Sequence, residues 1–133
     1  TKDDIFFNND GSNINISEEG FYQITADVAT SKLSAKKITT WGIIGPAQAG
    51  GWDSDTDMTW NAEDESWTAT LELAADEFKF RANDDWGINM GGSIDDLSQD
   101  GANIKVTEAG TYEVKLFLTR SASDKMYCTL TKK

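Results

Sequence analysis

Strict alternation of apolar and polar side chains is the feature that most constrains the fold of this chain. In one central stretch, Phe78, Phe80 and Ala82 share one parity, and Lys79 and Arg81 share the other. Successive strand side chains point to opposite faces, so the stretch is predicted to be a strand with one apolar face. Similar patterns recur between turns rich in Gly, Asn and Asp, and no segment holds a helical period. We therefore predict an all-β, antiparallel two-sheet β-sandwich of about eight or nine strands with little helix.

The other predicted strands follow from the same pattern. They lie at 13–17, 21–29, 36–40, 41–45, 58–61, 67–73, 103–107, 111–118 and 126–131. The predicted connections include a loop at 30–34, a small-residue loop at 46–52, an acidic turn at 53–57 and a polar connection at 93–100. The single cysteine, Cys128, lies in the last strand and is predicted to be a small buried residue.

The central strand is predicted to continue into a hairpin. A two-residue turn at 84–85 would place Asn83 opposite Trp86. Cross-strand partners share a face, so both residues would lie beside Lys79 and Arg81. The result would be an indole plate surrounded by hydrogen-bond donors. Such a plate suits a sugar ring, whose C–H face stacks on indole and whose hydroxyls accept from Lys, Arg and Asn. An ordinary amphipathic hairpin with a half-exposed Trp fits the same pattern.

The acidic composition limits the partners of the chain. Its 133 residues carry 23 Asp and Glu against 12 Lys and Arg, a formal net charge of −11. Such a surface repels nucleic acid and anionic lipid, and it suits a neutral ligand. The chain has no His, the commonest general base and metal ligand, and no cofactor is predicted. No apolar run approaches transmembrane length, so no direct membrane insertion of this segment is expected.

Two segments of the chain resemble each other at a fixed offset. The segments 10–22 and 100–112 are identical at seven of thirteen positions, with an offset of 90. The matching spacing favours duplication over convergent hairpin composition, and it suggests a parent protein that strings similar modules together. Residues 1–35 are therefore predicted to be an N-terminal strand pair at the seam with a preceding module. Residues 36–133 are predicted to be the ligand-binding β-sandwich, and a single compact unit over 1–133 fits the pattern as well.

The order of several short motifs resembles a known family. In chain order these are WGIIGPA at 41–47, GGWD at 50–53, EFKFRANDDWG at 77–87, GG at 91–92, NI at 103–104 and EAGTY at 108–112. Together they resemble the starch-binding modules of the SusE and SusF type, which are surface lipoproteins of gut Bacteroides. The resemblance covers roughly Lys36 to the C-terminus. The GGW and FKFR pieces are fairly specific in combination, and each alone is weak.

The resemblance implies a non-catalytic carbohydrate-binding module. It would bind starch or another α-glucan on the extracellular face of the outer membrane, beside other surface glycan-uptake proteins. In this family two aromatic rings form an arc along the glucan helix, and Lys or Arg and polar neighbours bind its hydroxyls. The ligand-binding candidates are Trp41, Trp86, Lys79, Arg81, Asn83, Asn89 and Trp52.

The candidates carry different roles. The resemblance implies that Trp41 and Trp86 form the arc and that Lys79 is the main donor. The chain departs from the family pattern at Gly42-Ile43, directly after Trp41. Trp52, which follows Gly50-Gly51, is the competing second platform because a Trp at such a loop end can sit exposed. A loop-packing role for this Trp is the alternative.

Other chemistry fits the sequence less well. Asp53, Asp55 and Asp57 match positions 1, 3 and 5 of an EF-hand loop, but Met58 and Asp64 stand where Gly and Glu are required, so no metal site is predicted. No carboxylate pair stands out as the acid and base of glycoside hydrolysis, so the chain is not predicted to be an enzyme. The alternatives to α-glucan binding are another polysaccharide, such as xylan or mannan, and an Ig-like surface adhesion or interaction domain.

Overall fold

The protein is all-β in the residues that its structure describes. A computed structural model describes residues 4–6, 20–27, 32–118 and 125–133, and these contain thirteen strands and no helix. Consequently, none of these ranges contains a long apolar helix that could cross a membrane. The chain divides into two compact units, Thr1–Thr39 and Thr40–Lys133. The predicted fold class is confirmed.

The N-terminal unit contains a three-stranded antiparallel sheet. Its strands are β1 (Asp4–Phe6), β2 (Phe21–Asp27) and β3 (Lys32–Ile38), in the order β1-β3-β2. Residues 32–34 were expected to be loop but belong to β3, because they pair with both neighbouring strands. The predicted strand at 13–17 and most of the first repeat copy lie outside the described residues.

The C-terminal unit contains two antiparallel sheets. Its strands are β4 (Trp41–Gly45), β5 (Gly51–Asp57), β6 (Thr59–Asn61), β7 (Ser66–Leu73), β8 (Glu77–Ala82), β9 (Asn89–Ser93), β10 (Asp96–Gln99), β11 (Ile104–Lys105), β12 (Gly110–Phe117) and β13 (Tyr127–Lys132). One sheet has the order β10-β9-β8-β4-β5, with β11 also paired to β8. The other has the order β13-β12-β7-β6. The strand count exceeds the expectation because pieces as short as β11 carry no detectable alternation.

Side chains of one parity from both sheets form the core. Phe78 and Phe80 of β8 are fully buried and meet edge to face, with ring centroids 5.4 Å apart. On β12 the buried residues alternate as Tyr112, Val114 and Leu116. This period of two is the signature of a strand with one face on the core. The buried phenylalanines therefore anchor β8 to the core, and the opposite face of β8 carries Lys79 and Arg81.

Two predicted connections are strands. Residues 53–57 were expected to form an acidic turn but lie in β5, which pairs with β4 at the edge of its sheet. Asp is depleted in strands, so local propensity predicted a turn. Pairing with β4 produced a strand instead. The polar connection at 93–100 includes β10, where Leu97 is 2% exposed and pairs with Gly92.

We predict that the native protein resists alkylation at Cys128, which is buried as expected from the sequence. Burial raises the pKa of the Cys128 thiol to about 12, and the negative charge of Asp95 adds to this. The thiolate is the reactive form, so iodoacetamide at about pH 8 should modify the unfolded chain and leave the native protein unmodified. Mass spectrometry with and without denaturant measures this. Modification of the native protein as fast as of the denatured chain would contradict the buried position.

Candidate functional site

The β8–β9 hairpin has a longer loop than the sequence predicts. Arg81 pairs with Asn89, and β9 begins only at that residue, so residues 83–88 form the connection. The predicted two-residue turn is wrong, and so is the pairing of Asn83 with Trp86 that depended on it. Trp86 therefore belongs to a loop, and strand parity alone does not place its side chain.

The loop begins with a left-handed turn. Asn83 and Asp84 have φ angles of 57° and 53°, and the amide of Asp85 donates to the carbonyl of Ala82 at 3.1 Å. Two central residues with positive φ are typical of a type I′ turn, and Asn and Asp adopt this conformation more readily than other non-Gly residues. The chain thus reverses one residue earlier than predicted.

The loop places Trp86 over the two cations of the central strand. The guanidinium carbon of Arg81 lies 5.3 Å from the centre of the Trp86 ring, and the Nζ of Lys79 lies 5.9 Å from it. Both distances fall within the range of a cation–π contact, which is about 6 Å. The indole is 43% exposed. The predicted grouping of Trp86 with Lys79 and Arg81 is present, although a loop and not strand pairing produces it.

Trp52, at the start of β5, is the second exposed ring of this surface. Its centroid lies 5.8 Å from that of Trp86, and the two ring planes are inclined by 43°. Trp52 is 44% exposed, so each indole keeps part of its surface open to solvent. We refer to Trp52 and Trp86 as the tryptophan pair. The sequence offered Trp52 only as the competitor of Trp41.

Trp41 is a core residue, and its predicted place in the aromatic arc is wrong. Only 1% of its surface is exposed. In the β4–β8 register Trp41 pairs with Ala82, and Ile43 pairs with Phe80. Cross-strand partners share a face, so Trp41 lies on the side of the sheet that the buried phenylalanine occupies. A buried indole has no face that a sugar could stack on.

The buried side chain of Asn89 holds Lys79 and the Trp86 loop in place. Its side-chain oxygen accepts from the Nζ of Lys79 at 2.6 Å, and its side-chain nitrogen donates to the carbonyl of Trp86 at 2.9 Å and to Asp100 at 2.8 Å. Asn89 is 3% exposed, so the prediction that it contacts the ligand directly is wrong. It orients Lys79 and holds the main chain of the Trp86 loop.

Gln48 anchors the loop that leads into β5 and Trp52, and sequence reasoning missed it. Its amide nitrogen donates to the carbonyls of Gly51 at 2.8 Å and Ser54 at 2.7 Å, and its amide oxygen accepts from the hydroxyl of Thr56 at 2.9 Å. The side chain is 4% exposed and lies within the loop at 46–52 that was predicted only as small-residue. A Gln between two alanines gives no periodic signal of burial.

Three carboxylates converge beside the guanidinium of Arg81. Oxygens of Asp55, Asp57 and Asp84 lie within 4.8 Å of one another. The pKa of Asp84 is raised above its ordinary value, first by a hydrogen bond with Asp55, then by the charge of Asp55, and to a smaller extent by burial and by Asp57; Arg81 acts in the opposite direction. Residues 53–57 form a strand, which does not fit the EF-hand loop that the sequence already disfavoured.

The remaining candidates occupy intermediate positions. Arg81 is 9% exposed and lies beneath the Trp86 ring, so it supports the indole more than it faces solvent. Lys79 and Asn83 are half-buried and keep part of their side chains accessible. Lys79 is therefore the first residue expected to donate hydrogen bonds to a ligand.

Fold and site together define an all-β antiparallel sandwich with an exposed, tilted tryptophan pair on one sheet. Comparisons of the chain with protein-family models, with curated proteins and with solved structures found no match.

We predict that Asp84 makes the free energy of unfolding rise as the pH falls from neutral towards 3.8, its ordinary pKa. Its raised pKa means that the folded protein binds this proton more tightly than the unfolded chain does. The gain is therefore acquired as the pH falls through the folded-state pKa towards the ordinary value of 3.8. Asp84→Asn should stabilise the protein at neutral pH and lose this part of the pH dependence.

Urea unfolding at several pH values measures the effect. Asp85→Asn, which removes the same charge one residue further along, is the matched control and should not reproduce the effect of Asp84→Asn. An Asp84→Asn variant that is no more stable than the parent at neutral pH would contradict the unfavourable clustering of carboxylates.

Proposed function

We propose that this protein is a non-catalytic carbohydrate-binding module that binds starch or another α-glucan on the tryptophan pair. The observation that carries the proposal is the pair itself: two partly exposed indoles 5.8 Å apart on one side of a sheet, with cations beside them. Exposed indole next to hydrogen-bond donors matches the two surfaces of a sugar, its apolar ring face and its hydroxyl edge.

The tilt of the pair favours a curved glycan. Sugars stack with their ring faces parallel to the indole, so platforms inclined by 43° suit successive sugars that are inclined to each other. An α-glucan chain turns in this way, whereas extended chains present flatter ribbons. This supports α-glucan over the xylan and mannan alternatives.

Lys79 is the proposed donor to sugar hydroxyls. An ammonium group has three donors, and the contact with Asn89 uses one of them. The half-buried Asn83 is a second candidate at the edge of the same loop. The nearby carboxylates of Asp57 and Asp84 can accept from hydroxyls and would repel an anionic sugar. A neutral glycan fits this mixture of donors and acceptors best.

The proposed setting is the outer surface of the outer membrane, where the module would act within a longer lipoprotein and beside other glycan-uptake proteins. The motif resemblance supports this setting. The net charge of −11 agrees with a neutral polysaccharide as partner and disfavours nucleic acid and anionic lipid.

We predict that Trp52→Ala and Trp86→Ala each weaken α-glucan binding about thirtyfold, equivalent to about 2 kcal/mol. Each substitution removes one stacking platform, and both side chains are partly exposed, so folding should be preserved. Calorimetry with a linear or cyclic α-glucan measures the affinity. Because the ligand is neutral, raising the salt concentration should change the affinity little.

Tyr127→Ala is the matched control for that experiment. Tyr127 is also an exposed aromatic, 38% exposed and stacked on Phe117, but it lies on the four-stranded sheet. The control should bind like the parent. Unchanged binding by a folded Trp86→Ala variant would show that the site is misplaced. Tighter binding of xylan or mannan oligosaccharides would replace the α-glucan, and no binding to any glycan would refute the function.

We predict no turnover of bound glycan. The chain has no His, the commonest general base, and its sequence singles out no carboxylate pair as the acid and base of glycoside hydrolysis. Incubation with soluble starch or maltooligosaccharides should release no reducing sugar above a blank without protein. Sustained release that a single substitution such as Asp84→Asn abolishes would identify an enzyme instead.

A further inference from the structure

The ion pair beneath Trp86 joins two strands that are not neighbours. Arg81 lies on β8 and Asp55 on β5, and β4 runs between them. Neighbouring strands are about 4.8 Å apart, so the two main chains are separated by about twice that distance. Even so, the Nε of Arg81 donates to a carboxylate oxygen of Asp55 at 3.0 Å. Both side chains must therefore extend across the face of β4 to meet.

A glycine on β4 leaves the space for this contact. Gly42 is the residue in register with Arg81. A Cβ at that position would lie 2.6 Å from the carboxylate oxygen of Asp55 and 2.8 Å from its carboxyl carbon. Real Cβ atoms essentially never approach so closely, so any side chain at position 42 would displace the carboxylate. The absence of a side chain at Gly42 is what lets Asp55 reach across the strand.

The pair holds the guanidinium in a defined place. The side chains of Arg81 and Asp55 are only 11% and 7% exposed, so water competes weakly for the contact. A hydrogen bond between two charged groups is short and directional, and it constrains the guanidinium more than packing alone would. The same guanidinium lies 5.3 Å from the centre of the Trp86 ring. Gly42 thus leaves room for Asp55, Asp55 binds Arg81, and the guanidinium of Arg81 contacts the exposed indole.

The geometry points to Asp55 as a positioning residue of the binding site: by fixing the guanidinium of Arg81, it holds the Trp86 ring at its angle to Trp52. This role rests on the proposed function and specifies how its aromatic platform is kept rigid. Without Asp55, a nearly buried cation loses its partner and moves towards water. The indole above it then loses its support and samples other orientations. A platform that must be ordered on binding binds more weakly than one already in place.

The test uses a readout that needs no ligand. Two coupled indoles give an exciton couplet in the circular dichroism spectrum, and the component from this pair is defined by subtracting the spectrum of Trp52→Ala. Four variants are compared with the parent for couplet, α-glucan affinity and thermal unfolding. They are Asp55→Ala, Asp55→Asn, the double variant Asp55→Ala/Arg81→Met, and Asp64→Ala as control. Asp64 is the matched control because it forms an ion pair with Lys115 on the other sheet.

Asp55→Ala should lose most of the couplet and bind α-glucan about tenfold more weakly, a smaller loss than removal of Trp86 itself. Asp55→Asn keeps an oxygen that accepts from Arg81 and should retain both signals. The double variant should lose as much couplet as Asp55→Ala and no more, because both act on the same support. Asp64→Ala should match the parent in couplet and affinity.

A folded Asp55→Ala variant with the parental couplet overturns the positioning role, as does a parent without any couplet from this pair. If Asp55→Ala does not fold, the double variant decides, because it leaves no unpaired buried charge. A parental couplet in the double variant then overturns the role. If the parent binds no glycan, the proposed function fails, while the couplet still tests Asp55.

Discussion

The pairing of β4 with β8 determines which face of the sheet each important side chain occupies. In this register Ile43 lies opposite Phe80, and Gly42 lies opposite Arg81. Residues of one parity therefore fill the core. On the outer face, Gly42 leaves a space beside the guanidinium of Arg81. Because strand side chains alternate with a period of two, a slip of one residue would exchange the two sets. It would bury Arg81 in the core and expose the aromatic residues, so the burial of Phe80 enforces the arrangement outside.

The exposed site depends on buried amides. Gln48 binds the loop before Trp52, and Asn89 binds the loop that carries Trp86. Each amide uses both its donor and its acceptor, and each is nearly buried, so its hydrogen bonds face little competition from water. Trp86 thus stands on a loop and Trp52 at the start of a strand that follows a loop, and a buried amide fixes each of these loops. Fixing the loops lets an exposed aromatic surface keep one geometry, which lowers the ordering that binding would require.

The two cations next to Trp86 have different partners. Arg81 forms an ion pair with Asp55, whereas Lys79 donates to the amide oxygen of Asn89. Asp84 approaches carboxylates and has a raised pKa as a result. The surface around the indole therefore offers both donors and acceptors without a single dominant sign. That combination accommodates hydroxyl groups, which donate and accept, better than it accommodates an ion.

The sequence by itself determined the fold class and the grouping of Trp86 with Lys79 and Arg81. Alternation predicts strands because burial of one face imposes a period of two, and β12 shows that period directly. The two-residue turn from which this grouping was predicted is wrong, since the loop at 83–88 is longer. A turn at Asn or Asp can start at either of two adjacent residues, and local sequence does not choose between them.

The choice of the second tryptophan was made only by the tertiary structure. The residues before Trp41 and Trp52 permit either a strand or a loop, so local sequence does not determine which indole is exposed. Their exposure depends on the register of β4 against β8 and β5. That register places Trp41 in the core and brings Trp52 to 5.8 Å from Trp86. The partnership of Arg81 with Asp55 was equally hidden, because the two residues are 26 positions apart and meet across a strand. Contacts of this kind follow from strand order, which is a property of the whole chain and of no segment within it.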